Sequence, residues 1–237
     1  MSRVNFLASE IGGKIAGGVY PPGTTLPIEQ EMSETYSVGR NVVREAIKVL
    51  VGKGFLRTER RAGTIVQPRQ TWAMTDPDVI SWMLRNPDLR QELLGHLTQL
   101  RGIIEPEAAA LAAENASIIE TLRLFEAYED MKKHRHDRDL AIAADIRFHE
   151  RLLESSHNPL LGSMAHSIKA LLRVNFEISI ESPDGFIRNL EQHGKVAEAI
   201  HRHDPVAARL EMQTLLSNNT KDLENVLEES HRHRGQD

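Results

Sequence analysis

The chain has 237 residues, 40% of them hydrophobic, and no cysteine. That length suits a small core and a medium one, and the missing thiols exclude a disulfide framework and any thiolate-bound zinc or redox centre. The net charge of −5 argues against a nucleic-acid partner only until it is divided: residues 1–70 hold ten Lys/Arg against six Glu and no Asp, a balance of +4, so the rest hold 19 against 28, a balance of −9. The N-terminal MSRVNFLASEIGGKIAGG lacks a basic flank ahead of an apolar run, and no stretch of about 18 apolar residues occurs. The expectation is a cytoplasmic protein with no membrane partner.

Leu7, Ile11 and Ile15, four residues apart, predict a first helix that stops at Gly17-Gly18. The turn-rich Tyr20–Pro27 follows, with Pro27 suited to the first turn of a helix through Ile28–Tyr36. After the break Ser37-Val38-Gly39, a third helix is expected from about Arg40 to Lys53, burying Val43, Ala46, Ile47 and Leu50, with Gly54 in the capping position. Its other face carries Arg40, Arg44 and Lys48 at four-residue intervals, with Asn41 beside them. A single basic helix face is more often just solvated. Here the pattern then changes to period two over Phe55–Arg61 and Thr64–Val66, a β-hairpin with Arg60, Arg61 and Gly63 near its tip. Helix, tight turn, cationic helix and hairpin together favour DNA binding, with arginine reading guanine and the cations holding phosphates.

At these residues the chain resembles a known family. The run Gly18-x-Tyr20-x-Pro22-Gly23-x-x-Leu26-Pro27-x-Glu29, then Val38-x-Arg40-x-x-Val43-Arg44-Glu45-Ala46, then Gly63-Thr64-x-Val66, is similar to the winged helix-turn-helix of the GntR family of bacterial regulators. The resemblance implies that Arg40 and Arg44 contact DNA and that Gly63 lets the wing tip approach the minor groove. Two positions depart from the pattern. Gly39 stands where the family often has Ser, and Gln30 where many members have Arg, so relatives' operator sequences do not carry over.

Residues 1–70 are therefore expected to form the DNA-binding domain, and 71–90, with no clear period, a linker and short helix. Residues 91–229 are expected to form an all-α effector-binding and dimerisation domain, and 230–237 a polar tail. Leu93, Leu97, Leu100, Ile104, Ala108 and Leu111 trace one helical stripe, and similar stripes recur around 119–132, 138–155, 159–181, 186–203 and 204–228. The fold class expected is mainly α: a winged helix-turn-helix followed by an antiparallel helical bundle.

Inside such a bundle a buried charge is costly unless paired, metal-bound or awaiting a ligand. Asp145 and His149 share a helix face at i, i+4, and with His193 they offer three ligands suited to Zn²⁺, Mn²⁺ or Ni²⁺. Among 11 histidines such a pair is more often a surface link. The motifs Arg101-x-x-x-Glu105-Pro106, Asp145-x-x-x-His149 and Glu191-x-His193-x-x-Val196 are similar to the FCD effector-binding domain of a large GntR subgroup. That resemblance implies a metal on Asp145, His149, His193 and a further His, where this chain has Leu215. Two readings stand. Either the three residues hold a metal whose open positions take water and an effector carboxylate, or the metal is lost and the histidines bind a polyhydroxylated acid directly.

In the second reading Arg101 clamps the carboxylate bidentately; the bland alternative for Arg101 is an intrahelical pair with Glu105. Asn218 is expected to add a polar contact. The stretch Trp72-x-x-x-Asp76-x-Asp78-Val79-Ile80-x-Trp82 resembles the subgroup members that regulate aldonate and uronate catabolism, galactonate-operon repressors included. The expected function is a homodimeric repressor, released from a palindromic double-stranded DNA operator by a small carboxylate. A sugar acid such as galactonate is the first choice and lactate the fallback. A metal-dependent enzyme is the rival class, with Glu150 as its only candidate base.

Overall fold

The computed structural model describes residues 2–165, 168, 169, 172 and 183–234, with side chains over 2–87, 89–165, 168, 169, 172 and 189–220. It is mainly helical, with one small sheet among the described residues. The chain divides into two compact units, Met1–Leu93 and Leu94–Asp237.

Unit 1 opens with α1 (Arg3–Ala16), started by the Ser2 hydroxyl, which accepts from the Asn5 amide at 3.1 Å. Leu7, Ile11 and Ile15 are buried, as their spacing requires. α2 (Glu29–Thr35) and α3 (Arg40–Gly52) come next, joined by a turn in which Ser37 adopts φ 52° and the Ser33 hydroxyl donates to the Val38 carbonyl. Pro27 falls just ahead of the N-cap Ile28, outside the first turn expected for it, because the cap closes on Glu31: its Oε2 accepts from the Ile28 amide at 3.3 Å. β1 (Leu56–Glu59) and β2 (Gly63–Val66) pair antiparallel, Leu56 opposite Val66 and Glu59 opposite Gly63, and Thr25 bridges to Ile65.

The stretch over 71–90 is packed into unit 1. A 3₁₀ turn at Arg69–Thr71 leads to Trp72, which stacks on Phe55 with 4.1 Å between ring centroids. Trp82, on α4 (Pro77–Leu84), meets the same ring edge-on at 5.3 Å. Lys53 Nζ, at the C-terminus of α3, lies 2.7 Å from Asp76 and 2.9 Å from Asp78. Partial burial works against the Lys53 charge, yet the two carboxylates hold its pKa above the ordinary lysine value. The residues that carry the likeness to aldonate and uronate regulators are thus packing residues; they report how this segment docks.

The division between the units falls within α5 (Pro87–Asn115). Unit 2 continues with α6 (Ile118–Lys133), α7 (Arg138–Ser155), α8 (Pro183–His201) and α9 (Pro205–Arg234). Residues 159–165, 168, 169 and 172 are also helical; the remainder of the helix expected over 159–181 lies outside the described residues. The core joins Ala108 and Ala112 of α5 to Leu124, Phe148, Leu152, Val196, Ile200, Met212 and Leu215. α9 runs on to Arg234, into the segment expected to be a tail, since no Gly or Pro interrupts it before Gly235.

Gly54 lies in the short connection between α3 and β1. Its φ is 76°, and a Cβ there would lie 1.9 Å from the Thr71 carbonyl oxygen. Gly54→Ala is expected to cost about 2–4 kcal/mol, more than the ~1–2 kcal/mol of left-handed backbone alone. A urea midpoint equal to wild type would show that residues 71–72 do not press on Gly54.

Candidate functional site

The first candidate surface lies on unit 1. Val43, Ala46, Ile47 and Leu50 turn α3 inward, which leaves Arg40, Asn41, Arg44 and Lys48 exposed on its outer side. The cations are exposed but engaged. Arg44 Nε donates to both Glu29 oxygens, at 2.8 and 3.0 Å, Arg40 Nη2 donates to Gln30 Oε1 at 3.1 Å, and Lys48 Nζ lies 2.8 Å from Glu45. Arg60 and Arg61 are exposed in the turn between β1 and β2, Arg61 with φ 73°. Gly63 closes that turn at φ 88°, a conformation that a side chain would strain. Arg40, Arg44, Lys48 and the Asn41 amide on one helix, with two more cations on a neighbouring hairpin, form a surface able to hold phosphates and enter a groove.

The second candidate lies within unit 2. α5 supplies Arg101 and Glu105, α7 supplies Asp145 and His149, and α8 supplies His193, all five nearly or fully buried. Arg101 Nε donates to Glu105 Oε1 at 2.6 Å and Nη2 to Oε2 at 3.3 Å. The bidentate face expected to clamp an effector is thus turned on Glu105, and Nη2 also donates to His149 Nε2 at 3.2 Å. His149 Nδ1 lies 2.8 Å from Glu105 Oε2. Burial raises the Glu105 pKa, but Arg101 and His149 outweigh it and hold the value down at about 2. Burial likewise opposes ionised Asp145, and contact with His193, then the charges of His149, His193 and Arg101, lower its pKa instead.

These partners fix the imidazoles. The Asn189 carbonyl, 2.6 Å from His193 Nδ1, can only accept, so that Nδ1 carries hydrogen, and Arg101 Nη2 can only donate, so His149 Nε2 accepts; His149 Nδ1 lies close to Glu105 without a hydrogen bond. Three acceptors then converge. His193 Nε2 lies 3.1 Å from Asp145 Oδ1 and 3.4 Å from His149 Nε2, which is 3.8 Å from that same oxygen. His149 Nε2 already accepts from Arg101 Nη2, and a proton or a cation between His193 Nε2 and Asp145 Oδ1 would satisfy the remaining pair. Bonds of ~2.0–2.1 Å to a four-coordinate ion separate its donors by about 3.3 Å, so the spacing and the hydrogen-bonded Nδ1 of His193 fit a metal.

Leu215, where a fourth ligand would stand, is fully buried in the apolar core. Asn218 is half-buried on α9 and makes no hydrogen bond to the cluster among the described residues. Glu150 is turned to Lys169 at 3.2 Å, away from the cluster. Glu105 is the member that reasoning from sequence undervalued. Its spacing from Arg101 was visible, but its contact with His149 joins residues 44 positions apart and leaves no local pattern.

A winged helix-turn-helix with an exposed cationic helix, joined to a helical unit with a buried polar cluster, defines a one-component regulator. The chain belongs to the GntR family: the model of bacterial regulatory proteins of the gntR family matches residues 4–66, and the FCD domain matches residues 96–218. It is 31% identical to the galactonate operon transcriptional repressor of Escherichia coli K12 over 95% of this chain and 99% of that protein. It is 34% identical to the E. coli K12 HTH-type regulator YieP over 89% and 90%.

Among solved structures it is similar in fold to a Streptococcus agalactiae GntR protein, at TM-score 0.52 and 24% identity, covering 91% of this chain and 97% of that one. The Listeria monocytogenes protein Lar matches at TM-score 0.64 and 16% identity, covering 95% and 98%. The protein is a DNA-binding transcriptional regulator rather than an enzyme. Among the described residues no helix is long and apolar enough to cross a membrane.

Removing one member of the buried pair leaves the other charge uncompensated. Glu105→Ala is expected to cost about 3–5 kcal/mol by urea unfolding, while Arg101→Met with Glu105→Leu recovers most of that loss. Because the Glu105 pKa is depressed, its contribution is complete above the ordinary carboxylate range and is lost as pH falls through about 2. Equal stability of Glu105→Ala and wild type would show that the pair is not formed.

Proposed function

We propose that the protein is a repressor, released from its operator by a small carboxylate bound in unit 2, with a sugar acid such as galactonate as the effector. The observation that carries the sugar-acid reading is the similarity to the galactonate operon repressor along nearly the whole of both chains. On DNA, a homodimer places one α3 helix in the major groove of each half-site of a palindrome. Arg40, Asn41 and Arg44 face base edges and phosphates, Lys48, Arg60 and Arg61 face phosphates, and Gly63 brings the hairpin backbone close to the duplex.

In unit 2, Asp145, His149 and His193 are the residues to hold a divalent ion, Zn²⁺, Mn²⁺ or Ni²⁺. What supports this reading is geometry: Asp145 Oδ1, His149 Nε2 and His193 Nε2 lie within 3.8 Å of one another in a buried site. Leu215 contributes no donor and so leaves a position for the effector's oxygens. Arg101, through Nη2, is a donor beside this set, and Asn218 on α9 is the further side chain assigned to an effector hydroxyl.

Two measurements test the proposal. Protein bound to its own upstream DNA is titrated with galactonate, other aldonates, uronates and lactate. Operator affinity is expected to fall about 5- to 150-fold with a sugar acid, a coupling of about 1–3 kcal/mol. Release by lactate alone would replace the sugar-acid assignment with the smaller hydroxy acid, and release by none would remove the induction mechanism. Elemental analysis of protein purified without added metal is expected to show stoichiometric ion, lost in Asp145→Ala and His193→Ala. Negligible metal, not recovered on adding Zn²⁺, Mn²⁺ or Ni²⁺, would leave direct hydrogen bonding by the histidines.

A further inference from the structure

Glu29 and Gln30, consecutive in the first turn of α2, each hold one arginine of α3. Gln30 does so as the middle of a relay. Its Nε2 donates to Glu34 Oε1 at 3.2 Å, one turn along α2, and its Oε1 accepts from Arg40 Nη2 at 3.1 Å. The order is fixed by charge. A carboxylate only accepts and a guanidinium only donates, so the amide has one orientation that satisfies both. A charged side chain could meet only one of the two partners favourably: Glu would pair with Arg40 but repel Glu34, and Arg or Lys would pair with Glu34 but repel Arg40. Arg40 is the first residue of α3, at the end of the helix that enters a groove in helix-turn-helix proteins.

We infer that Gln30 is a positioning residue for base recognition, holding Arg40 oriented before DNA arrives so that discrimination at the base read by Arg40 depends on Gln30. The inference rests on Arg40 being a DNA contact, as proposed above. A long side chain that is already ordered loses less freedom on binding, and the gain appears only where the contact is geometrically demanding, at a base edge rather than along the phosphate backbone. Gln30 carries no charge, so it releases no counterion and should leave the salt dependence of binding alone.

The test compares wild type, Gln30→Ala, Gln30→Arg and Arg40→Ala by selection from a randomised duplex pool, and by binding to the selected duplex and to a scrambled one across a salt series. Gln30→Ala is expected to weaken the selected duplex about two- to tenfold. It should relax preference at one position per half-site, and leave scrambled binding and the salt slope unchanged. Gln30→Arg should lose the same preference while steepening the salt slope by about one charge.

If Arg40→Ala relaxes that position and Gln30→Ala does not, Gln30 is not a positioning residue, although Arg40 remains a base contact. If Arg40→Ala leaves the preference intact, the recognition reading falls and the inference with it. Equal losses on both duplexes for a folded Gln30→Ala would show a structural role and also overturn the inference.

Discussion

Burial of Arg101, Glu105, Asp145, His149 and His193 at one place constrains the packing of unit 2 more than any apolar contact does. A charge withdrawn from water destabilises the fold by several kcal/mol unless its partners are placed correctly, whereas a misplaced methyl costs about one. Pairing is solved first within helices. Arg101 and Glu105 on α5, and Asp145 and His149 on α7, are each four residues apart, so each helix arrives with a polar pair on one face. Pairing between helices then completes the set. His149 reaches Glu105 across α7 and α5, and His193 reaches Asp145 across α8 and α7. Those cross-links are short, and the core beside them is accordingly rich in alanine: Ala108, Ala109, Ala112, Ala141, Ala144 and Ala197.

How much of this could be read beforehand depends on the range of the contacts. α3 was legible because its signs are local: an apolar stripe at 43, 46, 47 and 50, cations at 40, 44 and 48, and a glycine in the left-handed region just past its end. The hairpin was legible for the same reason, through a change of period and a glycine at its turn. The packing of 71–90 left no such mark. Trp72 and Trp82 find Phe55, and Asp76 and Asp78 find Lys53, across 17 or more positions, and two prolines disguise the segment as a linker.

The donor set of the cluster was likewise visible as residue types and spacings. What Arg101 faces was not, because Glu105 and His149 compete for it and only the crossing of α5 and α7 decides between a clamp for a ligand and a partner for a carboxylate.

The same electrostatic rules act on the surface of unit 1 at much lower cost. Arg40, Arg44 and Lys48 stand four residues apart and repel one another along α3. Gln30, Glu29 and Glu45 take up that charge in the free protein. Exposed pairs of this kind contribute only ~0–1 kcal/mol each, so exchanging a carboxylate for a phosphate costs little, and the counterions released from DNA favour the exchange. A chain of net charge −5 can therefore present a face suited to DNA, because residues 1–70 carry a balance of +4 and the exposed cations of α3 are only lightly held by their partners.

Leu215 gives the cluster in unit 2 its particular character. It is fully buried with Met212 and Leu216 in the apolar core and offers no donor to the cluster. A site with four protein donors is closed and holds its ion whatever else is present; one with three keeps positions for an incoming ligand. In this chain those three are Asp145, His149 and His193, and the nearest further group, Arg101, is a cation that cannot ligate. Among the described residues no fourth donor stands with them, so under the proposed reading an ion held there has positions for oxygens from an effector. Linkage is reciprocal, so an effector that supplies those oxygens strengthens ion binding by the same factor by which the ion strengthens effector binding. If the proposed ion and effector share this site, a leucine at 215 in place of a fourth donor makes occupancy by the one depend on occupancy by the other.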